Sequence, residues 1–258
     1  MVCALLVSGR PAGAQVNLSG TSYTENFANI GSGLPTGWSV HTSATINTLG
    51  TSASFSSSTT AWNAATAGSD FRNVSGSNIV SGSSSGTQGS NSDRAFGWRP
   101  LSAATREGAV MLTFANTTGF TNFNLSLSLF TGNDVTGSQS YAIEYRIGDS
   151  GGFTQLGSTY ATGTPFAEST FSFGPSELSA WIDQSSPVYL RIRGLSTTGS
   201  GNLDTVVLDN VQLTFAPTAI PEPSSWAIAA AGAAFLIALA GKRKARRNLH
   251  VAGATTKD

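Results

Sequence analysis

Alternation of apolar and polar residues is the feature that most constrains the fold of this chain. In YAIEYRI, residues 141–147, every second residue is Tyr or Ile, and Glu144 and Arg146 lie between them. The same alternation occurs in FNLSLSLF, residues 123–130, and in VYLRIRGL, residues 188–195. Because successive side chains of a β-strand point to opposite faces, the pattern predicts strands that bury one face.

Two further segments, AVMLTFAN at 109–116 and TVVLDNVQLTF at 205–215, also read as strands. Turn-rich pieces such as TGNDVTG, GDSGG and STTGSGN separate them, and we expect one short helical turn in GPSELSAWID, residues 174–183. Several strands without intervening helices favour an all-β, two-sheet sandwich over residues 15–217. Within it, residues 50–93 are rich in Ser, Thr, Gly and Asn, and we expect long loops or a polar edge there.

Composition excludes several classes of function. The single cysteine, Cys3, rules out an internal disulfide, and two histidines leave little scope for zinc sites or His-based catalysis. Residues 15–220 contain seven Arg, no Lys and twelve Asp or Glu. Binding to phosphates needs clustered positive charge, so this acidic body is not expected to have a nucleic-acid partner.

The N-terminal segment MVCALLVSGRPAGA, residues 1–14, has a short apolar run followed by the small residues of a signal-peptidase site. We interpret it as the back half of a signal peptide that is cleaved before Gln15. An ordinary N-terminus is the alternative.

The C-terminal part has the sequence features of a membrane anchor, in the order that such anchors have. Residues 226–241 carry no charge and, as a helix, extend about 24 Å against a hydrocarbon core of about 30 Å. A buried globular helix has the same length, but an interfacial Trp226 before the run and cations after it favour a transmembrane helix. The cations place residues 248–258 in the cytoplasm and the body outside; they are Lys242, Arg243, Lys244, Arg246 and Arg247.

Residues 218–247 resemble the PEP-CTERM sorting signal of Gram-negative bacteria. The matching features are the triplet Pro221, Glu222 and Pro223, the apolar helix, and the basic cluster. The resemblance implies that an exosortase of the inner membrane recognises the triplet and processes the tail. It also implies a membrane-tethered precursor that is released to the cell surface or matrix.

A second resemblance covers residues 22–215. The segments TENFANIGSGLPTGWSV, SDRAFGWRP, FANTTGFTNFNLSLSLF and VVLDNVQLTF are similar to jelly-roll domains of bacterial surface proteins. This resemblance implies a lectin-like sandwich in which Asp209, together with an acidic residue near the first strand, here Glu25, holds a structural Ca²⁺. A turn or capping aspartate is the alternative. An unbroken strand turns Asp209 into the core, whereas a bulge at Asp209 and Asn210 turns it outward.

Candidate ligand contacts are few. Trp62 lies in a polar segment and is the tryptophan most expected to be exposed for stacking on a sugar. GSSSG at 82–86 fits a hydrolase motif but lacks the strand and helix that the motif requires. We therefore expect a non-enzymatic, exported surface or matrix protein. The alternative is a carbohydrate-binding module for exopolysaccharide.

Overall fold

The chain folds into two β-sheets that pack face to face, as the alternating pattern predicts. The computed structural model describes residues 14–62, 70–77, 84–133, 137–195 and 203–219. All but the last of these residues belong to a compact unit that ends at Thr218. The two-sheet sandwich is therefore confirmed for the described part of the chain.

The first sheet has seven strands within the described residues, in the order β11-β8-β13-β6-β5-β4, with β1 also beside β13. All of its pairings are antiparallel except that of β4 with β5. Its strands are β1 (Ser22–Glu25), β4 (Phe55–Thr59), β5 (Phe71–Ser75), β6 (Arg94–Trp98), β8 (Phe120–Asn133), β11 (Ser169–Phe173) and β13 (Thr205–Pro217).

The second sheet has six antiparallel strands in the described ranges, in the order β10-β9-β12-β7-β2-β3. These strands are β2 (Trp38–Thr42), β3 (Thr51–Ser52), β7 (Ala109–Phe114), β9 (Ser140–Ile147), β10 (Thr154–Ala161) and β12 (Val188–Gly194). Two short helices, α1 (Ser85–Gly89) and α2 (Ala103–Arg106), and two 3-10 turns, Ile30–Ser32 and Ser179–Trp181, complete the elements. The second 3-10 turn is the helical turn that the sequence predicts.

The main core lies between the sheets. Apolar residues of the alternating strands fill it, and Trp98 and Trp181 are fully buried there. Tyr141 packs edge-on against Trp98 at a ring-centroid distance of 4.9 Å. The inward-facing residues of β8, β9, β12 and β13 therefore form one continuous hydrophobic core.

The outer face of the six-stranded sheet is also covered, which the alternation alone does not predict. Glu144 and Arg191 lie opposite each other on β9 and β12, form an ion pair of 2.7 Å, and are 1% and 0% exposed. Arg191 donates to the carbonyls of Thr45 and Thr48 and lies over the ring of Phe153. The loop after β2 thus covers these charges and makes them a buried brace.

Residues 50–93 contain more regular structure than the low-complexity composition predicts. Strands β4 and β5 and helix α1 form there. All five residues of β5 are buried because Phe71 packs in the main core while Val74 packs on the opposite face of the sheet. The expectation of loops is wrong for β5, since burial on both faces outweighs weak strand propensity. Strand β4, with the sequence FSSST, is the edge strand of its sheet, as the alternative of a polar edge predicts.

In the described part of the chain, no helix has the length and apolar character needed to cross a membrane. The predicted helix at 226–241 lies outside the described residues, as does the predicted signal-peptide segment apart from Ala14.

Candidate ligand-binding face

A bulge in β13 sets the direction of Asp209. Val206 and Leu208 pack between the sheets, whereas Val207 packs on the outer face of the seven-stranded sheet. The register with β8 shifts after Asp209, and Asn210 has a φ of 51°. Asparagine tolerates this left-handed conformation better than most residues do. The bulge alternative is therefore correct, and Asp209 points to the outer face.

Asp209 is a carboxylate that is almost fully buried. It is only 3% exposed, and its oxygens accept hydrogen bonds from the backbone N–H and the side-chain amide of Asn210. The pKa of Asp209 is raised from 3.8 to about 7, chiefly by burial. The backbone hydrogen bond from Asn210 opposes the rise, and the charges of Asp93, Glu168 and Glu25 contribute to it. The environment therefore lacks a compensating positive charge among these neighbours.

Oxygen atoms converge beside Asp209 around Gly76. A Cβ atom at Gly76 would lie 2.9 Å from both Asp209 Oδ2 and Asp93 Oδ1, and 3.1 Å from the carbonyl oxygen of Arg94. Hard oxygen donors of this kind are those that Ca²⁺ prefers. No three His, Cys, Asp or Glu side chains of the described ranges form a metal-binding group. Calcium at this place would draw its other ligands from carbonyls or water.

Glu25 is less well placed than the resemblance implies. It is half-buried on β1, opposite Val211, and one of its carboxylate oxygens accepts a 2.6 Å hydrogen bond from the backbone N–H of Phe27. Burial raises the pKa of Glu25, and this hydrogen bond opposes the shift. The structure therefore places Glu25 near Asp209, where its charge is felt, but commits part of its carboxylate to a turn.

Beside Asp209 the outer face of the seven-stranded sheet is uniformly polar. Ser172, Ser126, Gln212 and Thr24 lie directly opposite one another on β11, β8, β13 and β1. We call these four residues the central row. Asn124, Thr214 and Ser22 form the row on one side of it, and Thr170, Ser128 and Asp209 form the row on the other. The ten residues together are the polar face.

A shallow groove of about 240 Å³ lies over the part of this face that β8, β11 and β13 form. Its polar lining comes from Asn124, Ser126, Ser172, Gln212 and Thr214. Within the part of the chain that the structure describes, no side chain of the central row hydrogen-bonds to another residue. These hydroxyl and amide groups are therefore available to a ligand.

Trp62 is not exposed, so the prediction that it presents a stacking surface is wrong. It is 1% exposed and packs with Val74, Phe130 and Val207 on the apolar half of the same outer face. Its ring lies against Gly132, where a Cβ atom would clash with it. The absence of a side chain at Gly132 makes room for the indole, and the surrounding apolar residues bury it.

The sorting residues and cations of the predicted anchor lie outside the described residues. They are Pro221, Glu222, Pro223, Trp226, Lys242, Arg243, Lys244, Arg246 and Arg247.

Sequence reasoning finds Asp209 but misses the central row. The residues of the central row occupy polar positions of alternating strands, and any solvent-facing strand has residues of this kind. Only the pairing of four distant strands brings them into one line.

No protein-family model and no curated protein matches this chain. Several solved structures resemble its fold, and a number of them are carbohydrate-binding modules. A family 22 carbohydrate-binding module from Clostridium thermocellum is 11% identical, with a TM-score of 0.40, and the match covers 77% of this chain and 94% of that one.

Two further solved structures are similar. A xylan-binding domain from Paenibacillus barcinonensis is 9% identical, with a TM-score of 0.34, over 62% of this chain and 94% of that one. An adhesin domain of Lys-gingipain from Porphyromonas gingivalis is 14% identical, with a TM-score of 0.42, over 76% of this chain and 98% of that one. These similarities do not assign the chain to any of those families.

Proposed function

We propose that this domain is a non-catalytic carbohydrate-binding module that contacts a polysaccharide through its polar face. The observation that supports the proposal is the central row, whose hydroxyl and amide groups have no hydrogen-bond partner among the described residues. Sugar hydroxyls both donate and accept hydrogen bonds, as Ser, Thr and Gln side chains do. The row contains no ionisable side chain, so it supplies contacts and no general acid or base.

A glycan array with the full chain tests this proposal, followed by titration calorimetry with any glycan that binds. Gln212→Ala removes the longest side chain of the central row, and we expect about a threefold to tenfold loss of affinity. The matched control is Gln155→Ala, because Gln155 is exposed on β10 of the other sheet. No binding to any glycan, or equal losses for both variants, would contradict the proposal.

We also propose that Ca²⁺ braces this face. Asp209 and Asp93 supply the carboxylates, and the ion supplies the positive charge that the buried acid lacks. The convergence of their oxygens around Gly76 supports this assignment. The ion's role is to stabilise the bulge of β13 and the strands beside it.

We further propose that the protein is exported and sorted through residues 218–247. The compact unit ends at Thr218, three residues before the Pro-Glu-Pro triplet, which leaves the tail as a separate sequence unit for an exosortase. Glu222→Ala should prevent release of the body from the inner membrane in cell fractionation, whereas Asp258→Ala should not. Unchanged release of the Glu222 variant would argue against recognition of the triplet.

A further inference from the structure

The central row differs from the rest of the polar face in its direction. Its four side chains lie across the strands, one from each of β11, β8, β13 and β1. Neighbouring strands are about 4.8 Å apart, so the row extends about 14 Å. This length is comparable to that of an extended oligosaccharide of a few rings, and the strand spacing is similar to the advance per ring.

The rows on either side limit the face along the strands. On one side, Ser128 is buried and Asp209 is almost completely so. On the other, the side-chain amide of Asn124 already donates to the carbonyl of Asn122. A ligand that runs along β8 or β13 would therefore meet groups that are covered or already bonded. A ligand that runs across the strands over the central row meets uncommitted groups throughout.

The charges on and beside the polar face also restrict the class of ligand. No residue of the polar face is Lys or Arg, and the negative charges of Asp93 and Glu168 act on Asp209 at its margin. A polyanionic glycan would bring negative charge next to these acids, and no Lys or Arg of the polar face would pair with it. An uncharged glycan pays no such electrostatic penalty.

The face also has no aromatic platform. Ile46 and Ile182 are the exposed large apolar residues of the described ranges, and neither lies on the polar face. None of the ten residues of the polar face is aromatic, and Phe173, which lines the groove, is only 4% exposed. Affinity therefore depends chiefly on the number of hydrogen bonds. Such a surface gains affinity from each additional sugar ring until the row is covered.

We infer that the ligand of the central row is an uncharged, extended polysaccharide that lies across the strands, from Ser172 on β11 to Thr24 on β1. This inference rests on the proposed carbohydrate-binding function and adds the charge, the direction and the length of the bound segment. The two end residues contact only a ligand long enough to span the row.

Titration calorimetry with the full chain tests the inference. The probes are linear β-1,4-linked gluco-oligosaccharides of increasing length, and oligo-alginates of matched length as acidic counterparts. We expect affinity to rise with length and then level off, and the acidic series to bind at least about tenfold more weakly. Each measurement is made with calcium and with chelator, so that cation bridging of the acidic probe is detected.

Two double variants test direction. Ser172→Ala with Thr24→Ala removes the ends of the row and should weaken the longer oligosaccharides by about tenfold while leaving the shortest unchanged. Asn124→Ala with Thr214→Ala removes groups of the neighbouring row, which a ligand running along β8 or β13 would contact, and should have the smaller effect. The altered side chains are exposed or half-buried, so both variants should have the same melting temperature as the unaltered protein.

The outcomes separate the two proposals. Absence of binding to every glycan contradicts the carbohydrate-binding function itself. Binding that favours the acidic series, that does not depend on length, or that is weakened more by the Asn124 and Thr214 pair leaves the function standing and overturns the inference.

Discussion

At the scale of single residues, Asp209 is a buried carboxylate with acidic neighbours. Its carboxylate is removed from water, and the charges of Asp93 and Glu168 disfavour its ionised form. A divalent cation at this place would reverse the balance, because it favours the ionised acids that surround it.

We expect calcium to raise the melting temperature of the protein, and chelator to lower it. Saturation at a hundredfold excess over Kd corresponds to about 2.7 kcal/mol of added stability. Asp209→Asn should abolish the response and, in chelator at neutral pH, should melt at or above the unaltered protein, because it removes a buried charge. Differential scanning calorimetry measures both effects. A calcium response that survives in Asp209→Asn would dismiss the site.

Tyr23 gives a prediction at alkaline pH. Its hydroxyl accepts a 2.8 Å hydrogen bond from Trp38 Nε1, and burial raises its pKa from 10.0 to about 12, with the Trp38 bond opposing that shift. The folded state therefore holds the proton more tightly than the unfolded state does. The resulting stability is complete below pH 10 and is lost as the pH rises towards 12.

Tyr23→Phe should thus reduce the fall in unfolding free energy between pH 10 and about 12. At neutral pH it should cost about 1 kcal/mol for the lost hydrogen bond. Urea unfolding across the alkaline range provides the measurement. Part of the slope should remain, because burial raises the pKa of Tyr189 to about 12 as well. An unchanged slope in Tyr23→Phe would refute the argument.

At the scale of elements, the bulge in β13 changes which alternate residues of the strand face the core. Before it, β13 pairs with β6 through Val206 to Leu208, and after it β13 pairs with β1 through Val211 to Thr214. The bulge thus keeps Val211 in the core while Asp209 faces outward, which a regular alternation forbids.

Asn210 holds this bulge through its left-handed backbone, with a φ of 51°. Asn210→Val should destabilise the protein by about 1–2 kcal/mol, because a β-branched residue is strained in this conformation. Asn210→Gly should cost much less. Gln212→Val is the control, because it also places Val on the exposed surface of β13, two residues further along. The midpoints of urea unfolding of the three variants are compared. Equal midpoints for the Val and Gly variants at position 210 would show that the backbone is not under constraint.

The elements also show what a sequence can and cannot predict here. Strands β8, β9, β12 and β13 follow from local alternation, because the period of two is a property of the strand itself. The cover over Glu144 and Arg191 does not, since it depends on the carbonyls of a distant loop. Likewise Trp62 looks solvent-facing among Ser and Thr, and only its packing on Gly132 explains its burial.

The candidate site follows the same division. Asp209 stands out within VVLDNVQLTF because a charge interrupts an apolar phase, so local pattern is sufficient to find it. The central row carries no such signal, because its members are ordinary polar residues until four strands align them.

At the scale of the molecule, the described sandwich ends where its last strand ends. The backbone N–H of Thr218 donates to the carbonyl of Gly119, and Phe215 packs edge-on against Phe120. We expect a chain that stops after Ala219 to keep the melting temperature of the full chain and its circular dichroism spectrum. A drop of several degrees on truncation would mean that residues beyond Ala219 contribute to the stability of the sandwich.

The last strand of the sandwich pairs with β8 along one edge and with β6 and then β1 along the other, so residues 205–217 join the two parts of the seven-stranded sheet. During biosynthesis, β1, β6 and β8 complete their pairing in that sheet only when this final stretch of polypeptide is available. A chain threaded through a secretion channel from its N-terminus would therefore emerge before this sheet forms. Its folding would be completed on the far side, with the tail still the last part to pass.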